Sequence, residues 1–387
     1  MLEYAEEITQ THSIIKIIGV GGGGGNAVNS MIRKGIDGVE FIVVNTNEKD
    51  LENSLAQVKI QLGPKATKGL GCGAHPELGR EAAEESEEEI RSALAGAEML
   101  FIAAGMGGGT GTGAAPVVGR IAKEMGILTM AIVTRPFLFE GKIRGQNAEY
   151  GLRELKTNSD TLVAIPNEKL KEIYSDLAIF EAFEKADSVL ANAAKAVSDM
   201  INISGYISVD LADVKTVMAN MGYTLMGTAV CEGEGRAANA AQQAIANPLL
   251  SDISLDGCKA ILINVTAGYD MKTSEFDTIS QVITNETGTD ANIIIGLVID
   301  EKMTEKISVT IIATGLMTEN DEQPEMPDFQ QKSGEEKNQQ LDIVFEGTRH
   351  RQMQLERDWS INDEKGVEKI TESERAEVPA FIRKFSN

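Results

Sequence analysis

Five short apolar runs in the first 165 residues, separated by segments with helical patterning, constrain the fold of this chain more than any other feature. The apolar runs are Ile14–Val20, Phe41–Asn45, Met99–Ala104, Leu128–Thr134 and Thr161–Ile165. The helical patterns cover Asn26–Lys34, Glu77–Ala95 and Pro116–Met125. Continuous apolar runs are typical of parallel strands that are covered on both faces. The alternation therefore predicts a doubly wound, Rossmann-type α/β domain that binds ligands at the carboxyl ends of its strands.

A second, smaller domain is predicted after a long helix. The Ala-rich segment Ile179–Ile203 has apolar residues at helical spacing, and a helix of that length would measure roughly 37 Å. Further helices are predicted at Val214–Met221, Arg236–Ala246 and Glu275–Asn285, and strands at Ala260–Thr266, Asn292–Val298 and Ile307–Ala313. We therefore divide this part of the chain into a flexible N-terminus (1–13), an α/β domain (14–176), a central helix (177–205) and an α+β domain (206–317).

The composition changes after Thr318, where Gln, Glu, Lys, Asn and Asp replace the apolar pattern. Residues 318–377 are predicted to form a disordered linker, because such a segment cannot bury enough apolar surface to fold. The last residues, 378–387, are apolar and basic again and contain the sequence VPAFIRKF. Two interpretations stay open from the pattern alone: a peptide that folds on a partner, or a frayed terminus.

The charge balance excludes several classes of protein. Acidic residues outnumber basic residues 59 to 36, which gives a net charge of −23. Such a chain repels phosphate backbones and anionic lipid, so we expect no nucleic-acid binding. No apolar run approaches the roughly 20 residues that cross a bilayer, and the acidic first residues do not fit a signal peptide. Three dispersed cysteines and three histidines predict no protein metal site and favour a reducing cytoplasm.

Two glycine-rich runs, Gly19–Asn26 and Gly105–Gly113, directly follow predicted strands. Glycine lets the backbone approach a ligand closely and exposes N–H donors, so two such runs at one sheet edge predict a phosphate-binding site. The first run contains G-x-G-x-x-G, but the next strand ends in Asn45–Asn47 without the acid that binds a ribose in dinucleotide enzymes. The second run lacks the lysine of a P-loop. A pair of tight turns is the alternative interpretation.

Several longer motifs carry a resemblance to a known family. They are GVGGGGGNAVN (Gly19–Asn29), TKGLG (Thr67–Gly71), FIAAGMGGGTGTGAAPVV (Phe101–Val118), FEGK (Phe139–Lys142), IPNEKL (Ile165–Leu170) and VDLADVKTVMANMGY (Val209–Tyr223). With these motifs the chain resembles the tubulin/FtsZ family of GTPases from Ile14 to about Gly315. The resemblance implies a tubulin-like fold, with a GTP-binding domain joined by the central helix to the α+β domain.

The resemblance also implies roles for individual residues. Those that would hold the phosphates of GTP or GDP are Gly21, Gly22, Gly107, Gly108, Gly109, Thr110, Gly111, Thr112 and Gly113. Those that would contact the rest of the nucleotide are Asn26, Glu140 and Arg144 near the ribose and phosphates, Asn167 and Asp187 on guanine, and Phe183 stacked on the base. A carboxylate would select guanine because adenine lacks the paired N1–H and 2-amino donors. Without the resemblance, Asn167 is a loop residue and Asp187 a helix-surface acid.

Asp210 and Asp213 are the expected catalytic residues. The resemblance implies that they reach the γ-phosphate of the neighbouring subunit, where they would orient and polarise the attacking water, with Mg²⁺ bound through the phosphates. The same pair also fits a helix N-cap with an acid in the first turn, and the two roles are compatible. A shared site implies head-to-tail filaments at the division site of a bacterial cell. The terminal peptide would bind membrane tethers and division regulators, without direct membrane insertion.

Four residues depart from the family pattern. Ser208, Ala186 and His75 stand where the pattern has Asn, and Asn47 stands where it has Asp. These departures keep a second hypothesis open, in which the chain is a filament scaffold that binds nucleotide and hydrolyses little or none. A third hypothesis is an NAD-dependent oxidoreductase that uses Gly19–Gly24. The strand end at Asn45–Asn47 and the second glycine run argue against this third hypothesis.

Overall fold

The computed structural model describes residues 15–174, 178–203, 207, 209–250, 258–287 and 291–315. The predicted flexible N-terminus, linker and terminal peptide lie outside the described residues, as does Ser208. Within the described part, ten strands form one sheet in the order β3-β2-β1-β4-β5-β6-β7-β10-β8-β9. The strands are β1 (Ile15–Val20), β2 (Val39–Asn45), β3 (Val58–Gln61), β4 (Met99–Gly105), β5 (Leu128–Arg135), β6 (Thr161–Pro166), β7 (Gly222–Glu232), β8 (Ala260–Ala267), β9 (Asn292–Ile299) and β10 (Lys306–Thr314).

The sheet is mostly parallel. The seven strands from β3 to β7 run parallel, β10 is antiparallel to both β7 and β8, and β9 is parallel to β8. All six residues of β1 and the first six of β4 are buried, as expected for central strands with helices on both faces. The predicted doubly wound α/β fold is confirmed.

Twelve helices of the described residues cover the sheet. They are α1 (Gly21–Arg33), α2 (Glu48–Glu52), α3 (Pro64–Thr67), α4 (Pro76–Glu85), α5 (Glu87–Leu94), α6 (Thr110–Glu124), α7 (Lys142–Thr157), α8 (Asn167–Ile173), α9 (Ile179–Asn202), α10 (Leu211–Met218), α11 (Arg236–Ile245) and α12 (Thr273–Thr287). One core packs α1 and α9 on one face of the sheet, and a second packs α4 to α7 on the other. A third core lies under α11 and α12.

Both helices that follow the glycine runs begin earlier than the sequence predicts. The first begins at Gly21 rather than Asn26, and the second at Thr110 rather than near Pro116, which lies inside it. The reason is close packing that only glycine allows. A Cβ atom at Gly24 would overlap the carbonyl oxygen of Ala103, and one at Gly111 would lie 2.5 Å from the carbonyl oxygen of Gly105. The glycines are thus the first turns of helices pressed against β4.

Strand β7 was not among the predicted strands. It connects the strands of the predicted α/β domain to those of the predicted α+β domain in one sheet. It pairs in parallel with β6 at Thr161–Val163 and in antiparallel with β10 along Lys306–Thr314. Its sequence, GYTLMGTAVCE, carries no continuous apolar run, because only three of its eleven residues are buried. The division of the chain at the central helix stays a prediction, since one sheet spans both parts.

The long helix α9 connects the two opposite edges of the sheet. Its 24 residues span about 36 Å at 1.5 Å per residue. It follows β6 and α8, so it begins at the carboxyl edge of the parallel strands. At its other end the Asn202 Nδ2 atom donates a hydrogen bond of 3.0 Å to the carbonyl oxygen of Gly38, just before β2 begins. The segment after α9 therefore starts at the amino edge.

Candidate functional site

A cleft of about 570 Å³ lies at the carboxyl ends of the parallel strands, and its size is ordinary for a small-molecule site. The predicted site residues that line it are Gly22, Asn26, Gly108, Gly109, Thr110, Gly111, Glu140, Arg144, Asn167, Phe183 and Asp187. The predicted residues outside its wall are Gly21, Gly107, Thr112, Gly113, Asp210 and Asp213. The structure thus brings together most of the expected nucleotide contacts and places the two expected catalytic acids elsewhere.

One end of the cleft is built from the first turns of α1 and α6. Gly22 and Gly111 lie in these turns, whose N–H groups have no intrahelical partners and whose helix dipoles favour an anion. Gly108 has open space where a side chain would be. Thr112 is buried and its hydroxyl accepts a hydrogen bond of 2.8 Å from the Gly107 amide, so this pair shapes the turn. These features form an anion cradle.

Contacts between loops hold this cradle together, and none of these contacts was predicted from the sequence. The hydroxyls of Thr46 and Thr110 lie 2.6 Å apart, and the Cys72 Sγ atom donates to the Thr46 hydroxyl at 3.4 Å. The Gly109 amide donates to the carbonyl oxygen of Gly73 at 2.9 Å. The loops after β2, after α3 and after β4 are therefore fixed against one another. Gly109 and Thr110 were among the predicted phosphate contacts, whereas Thr46, Cys72 and Gly73 were not.

Asn147 on α7 joins two of these loops from the side. Its Nδ2 group donates to the carbonyl oxygen of Ala74 at 3.0 Å and to that of Gly107 at 3.3 Å. Gly107 has a φ of 105° and its α-carbon packs against the Arg144 backbone, where a Cβ atom would lie 2.9 Å from the carbonyl oxygen. The position of α7 thus sets the position of both loops. No sequence motif used above singles out Asn147.

The other end of the cleft presents a buried amide and an acid with an altered pKa. The Asn167 side chain is buried at the start of α8, and its Oδ1 atom has no hydrogen-bond partner among the described residues. Burial, and to a smaller extent the nearby Glu184 carboxylate, raise the pKa of Asp187 to about 7. A buried acceptor without a partner costs free energy, so it indicates a donor supplied by a ligand.

Phe183 and Glu140 lie between the two ends. The Phe183 ring lies almost perpendicular to the Phe137 ring, with 5.3 Å between their centroids, and its side chain lines the cleft. The Glu140 carboxylate accepts from the Phe137 amide at 2.9 Å and from Arg144 at 2.7 Å. Among the described residues that line the cleft, Arg144 is the only cationic side chain.

Asp210 and Asp213 form a reciprocal cap at the start of α10. The Asp213 amide donates to the Asp210 Oδ1 atom at 2.8 Å, and the Asp210 amide donates to the Asp213 Oδ2 atom at 3.4 Å. The predicted helix cap is therefore confirmed. Both residues are exposed. They follow the end of α9 and precede β7, at the amino edge of the sheet, whereas the cleft lies at the carboxyl edge.

The residues that depart from the family pattern have different surroundings. Asn47 and Ala186 line the cleft. His75 is exposed, precedes α4 and does not line the cleft. Within the described residues, no group of three or more His, Cys, Asp or Glu side chains could hold a metal ion. A search of the same residues for a helix that could span a membrane finds none.

Comparison with protein families gives two matches, which cover two separate parts of the chain. Residues 14–175 match the Tubulin/FtsZ family, GTPase domain, and residues 222–317 match the FtsZ family, C-terminal domain. The chain is 51% identical over 317 residues to the cell division protein FtsZ of Pseudomonas aeruginosa, covering 82% of this chain and 80% of that protein. It is 44% identical over 380 residues to that of Buchnera aphidicola from Schizaphis graminum, covering 97% and 98%.

Solved structures give the same picture. An empty FtsZ dimer of M. jannaschii matches with a TM-score of 0.76 at 43% identity, covering 79% of this chain and 89% of that chain. The GDP-bound monomer of CetZ1 from Haloferax volcanii matches with a TM-score of 0.69 at 21% identity, covering 79% and 95%. This second likeness supports the fold alone.

Proposed function

This chain belongs to the tubulin/FtsZ family, and from that membership we propose that it polymerises with GTP in cell division and completes its hydrolytic site between subunits. GTP and GDP binding, GTP hydrolysis and self-association follow from the family. One observation carries the finer proposal: the cleft and the acids Asp210 and Asp213 lie at opposite edges of the sheet. A nucleotide in the cleft of one subunit would meet these acids only on the next subunit.

Guanine recognition is assigned to the end of the cleft that holds Asn167 and Asp187. An ionised Asp187 carboxylate would accept from the N1–H and 2-amino groups of guanine, and the unpartnered Asn167 Oδ1 atom would accept from a further donor. Phe183 would stack on the base. The phosphates would then reach the anion cradle formed by α1 and α6.

Hydrolysis is assigned to water activated by Asp210 and Asp213. Each carboxylate uses one oxygen in the cap of α10, which leaves the other oxygen to accept a hydrogen bond from water. Fixed in this way, the acids would orient the water and take up its developing positive charge near the γ-phosphate. The described residues offer no three-ligand metal group, so Mg²⁺ would be held mainly by the phosphates and would neutralise their charge.

Apolar residues around the cleft support a head-to-tail contact. Side chains that are mostly exposed include Leu138 (79%), Phe180 (71%), Ile179 (68%) and Ile143 (67%). All four belong to the elements that carry Glu140, Arg144 and Phe183. Exposed apolar residues grouped at a ligand site mark an interaction surface. Because a top-to-bottom contact uses two different surfaces, it generates open filaments.

The test is phosphate release from GTP at rising protein concentration with Mg²⁺, run in parallel with pelleting. A shared site predicts almost no specific activity below a threshold and activity proportional to polymer above it. Asp213→Ala is expected to abolish turnover while pelleting persists, and Asp277→Asn, an exposed acid on α12, is the control. Pelleting of the unmodified chain without phosphate release would support the scaffold hypothesis instead. Thermal shifts with GTP and with NAD would distinguish the GTPase from the oxidoreductase hypothesis, because only the cognate nucleotide raises the unfolding temperature.

The terminal peptide 378–387 is proposed to bind membrane tethers and division regulators, and so to bring a cytoplasmic filament to a ring at midcell. This part of the proposal rests on the apolar-basic sequence VPAFIRKF at the end of a polar segment. Deletion of the peptide is expected to abolish tether binding and to leave polymerisation intact. A loss of polymerisation in the deletion variant would contradict this role.

A further inference from the structure

Asp50 places a carboxylate in the wall of the cleft next to the anion cradle. It lies in the short helix α2, which begins at the end of β2. Its Oδ2 atom accepts a hydrogen bond of 3.1 Å from the Asn45 Nδ2 group. A Cβ atom at Gly22, in the first turn of α1, would lie 3.6 Å from the same oxygen. The carboxylate is therefore held by a neutral amide and faces the turn that would receive phosphate.

No cation balances this carboxylate in the part of the chain that the structure describes. None of the ion pairs among those residues includes Asp50. Arg144, the cationic residue of the cleft wall, is paired with Glu140 at 2.7 Å. A triphosphate that entered the cradle alone would meet a like charge across a short distance, which opposes binding. The arrangement suits an anion that carries a cation with it.

We propose that Asp50 contributes the protein carboxylate to a divalent-cation site that the nucleotide phosphates complete. The chemistry fits Mg²⁺, which takes one or two carboxylates, phosphate oxygens and several waters in sites of this kind. A single fixed carboxylate agrees with the absence of a three-ligand group from the described residues. The proposal rests on the proposed binding of GTP. Its consequence is that Asp50 opposes metal-free nucleotide and favours metal-bound nucleotide.

The test is calorimetric binding of the non-hydrolysable analogue guanosine 5′-(β,γ-methylene)triphosphate to the full chain below its assembly concentration. For the unmodified chain, replacing Mg²⁺ with EDTA is expected to weaken binding about tenfold or more. In Asp50→Asn the ratio of the affinity in Mg²⁺ to the affinity in EDTA is expected to fall below about threefold. This variant is also expected to bind more tightly in EDTA than the unmodified chain does. Asp50→Glu is expected to restore the dependence. Glu52→Gln makes the same charge change on α2 outside the cleft wall and is the matched control.

The outcomes separate the inference from the proposed function. An unchanged ratio of the two affinities in Asp50→Asn would overturn the inference. Binding that weakened by the same factor in Mg²⁺ and in EDTA would also overturn it, because Asp50 would then only hold Asn45 in place. Binding that fails in the unmodified chain with Mg²⁺ present would instead overturn the proposed GTP binding. Thermal unfolding of each variant verifies that it is folded, and Asp50→Glu gives the answer if Asp50→Asn is unfolded.

Discussion

The proposed role of Asp187 on guanine makes base recognition depend on the ionisation of this acid. Burial and the nearby Glu184 carboxylate raise its pKa to about 7, so at neutral pH the empty cleft holds a mixture of protonated and ionised acid. Only the ionised form can accept from both donors on the guanine edge. Nucleotide binding therefore favours loss of the proton.

We predict that the affinity for GDP falls about tenfold for each pH unit below 7, because binding must then remove a proton from Asp187. Calorimetry at pH 7 in buffers of different ionisation enthalpy should show net proton release. Glu184→Gln is expected to move the midpoint to lower pH, because the neighbouring charge is removed. A pH-independent affinity between pH 5.5 and about 8 would contradict this account of the base end.

The same residue has a stability cost that can be measured separately. Between the ordinary pKa of 3.8 and about 7, the folded chain holds a proton on Asp187 that the unfolded chain lacks. Raising the pH through this window therefore lowers the contribution of Asp187 to the free energy of unfolding. Asp187→Asn is expected to unfold at a higher temperature than the unmodified, nucleotide-free chain at pH 8, while binding guanine nucleotides more weakly. Thermal unfolding with and without GDP tests both expectations.

At the scale of elements, the phosphate end depends on how α7 is placed against two loops. Asn147 reaches the carbonyl oxygens of Ala74 and Gly107 with one amide group. Asn147→Ala is expected to weaken GTP binding by up to about thirtyfold, because two hydrogen bonds of about 1 kcal/mol each order the loops. Asn147→Asp is expected to be worse, because its carboxylate would face two carbonyl oxygens. Equilibrium titration with GTP measures both effects.

The control for this prediction is Gln146→Ala, a change to an exposed neighbour on the same helix. It is expected to bind GTP as the unmodified chain does. If Asn147→Ala also matched the unmodified chain, the two hydrogen bonds would have no part in ordering the site. A fall in GTP affinity that merely followed a fall in unfolding temperature would assign Asn147 a general structural role instead.

Elements also show what sequence patterns can and cannot predict. The strands β1, β2, β4, β5 and β6 were predicted because continuous apolar runs reflect burial on both faces. The strand β7 was missed because few of its residues are buried, so its sequence has no continuous apolar run. The early start of α1 and α6 could not be predicted. It depends on close packing of Gly24 against Ala103 and of Gly111 against Gly105. Helix propensities do not describe such contacts, because they arise only in the folded chain.

Part of the candidate site was likewise predictable from local sequence, and part of it was not. Glycine runs after strands are a local signal, so the anion cradle was predictable from chemistry. The bonds that order it join Thr46 to Thr110 and Asn147 to Gly107. Such pairs depend on the folded arrangement of separate elements. The role of Asp187 needed the family resemblance, because its altered pKa arises from burial that a sequence does not display.

At the scale of the whole molecule, α9 leads away from the cleft, and from Asp187 to its last residue it rises about 22 Å. The cleft uses the start of this helix, and the acids Asp210 and Asp213 follow its end. A single chain therefore cannot bring its own acids to its own nucleotide without unfolding the helix. If the sites are completed between neighbours, two differently defective chains should complement each other in a mixed filament.

We predict such complementation between Asp187→Ala, which is defective in the cleft, and Asp213→Ala, which is defective in the acids. In a random equal mixture, about one quarter of the junctions would pair an intact cleft with intact acids, because the two surfaces of each contact belong to different subunits. Phosphate release should then approach that fraction of unmodified activity, although each chain alone is nearly inactive. A doubly substituted chain mixed with Asp213→Ala supplies no intact acids and should give no recovery. Activity of the first mixture that never exceeds the sum of its parts would show that each subunit hydrolyses GTP alone.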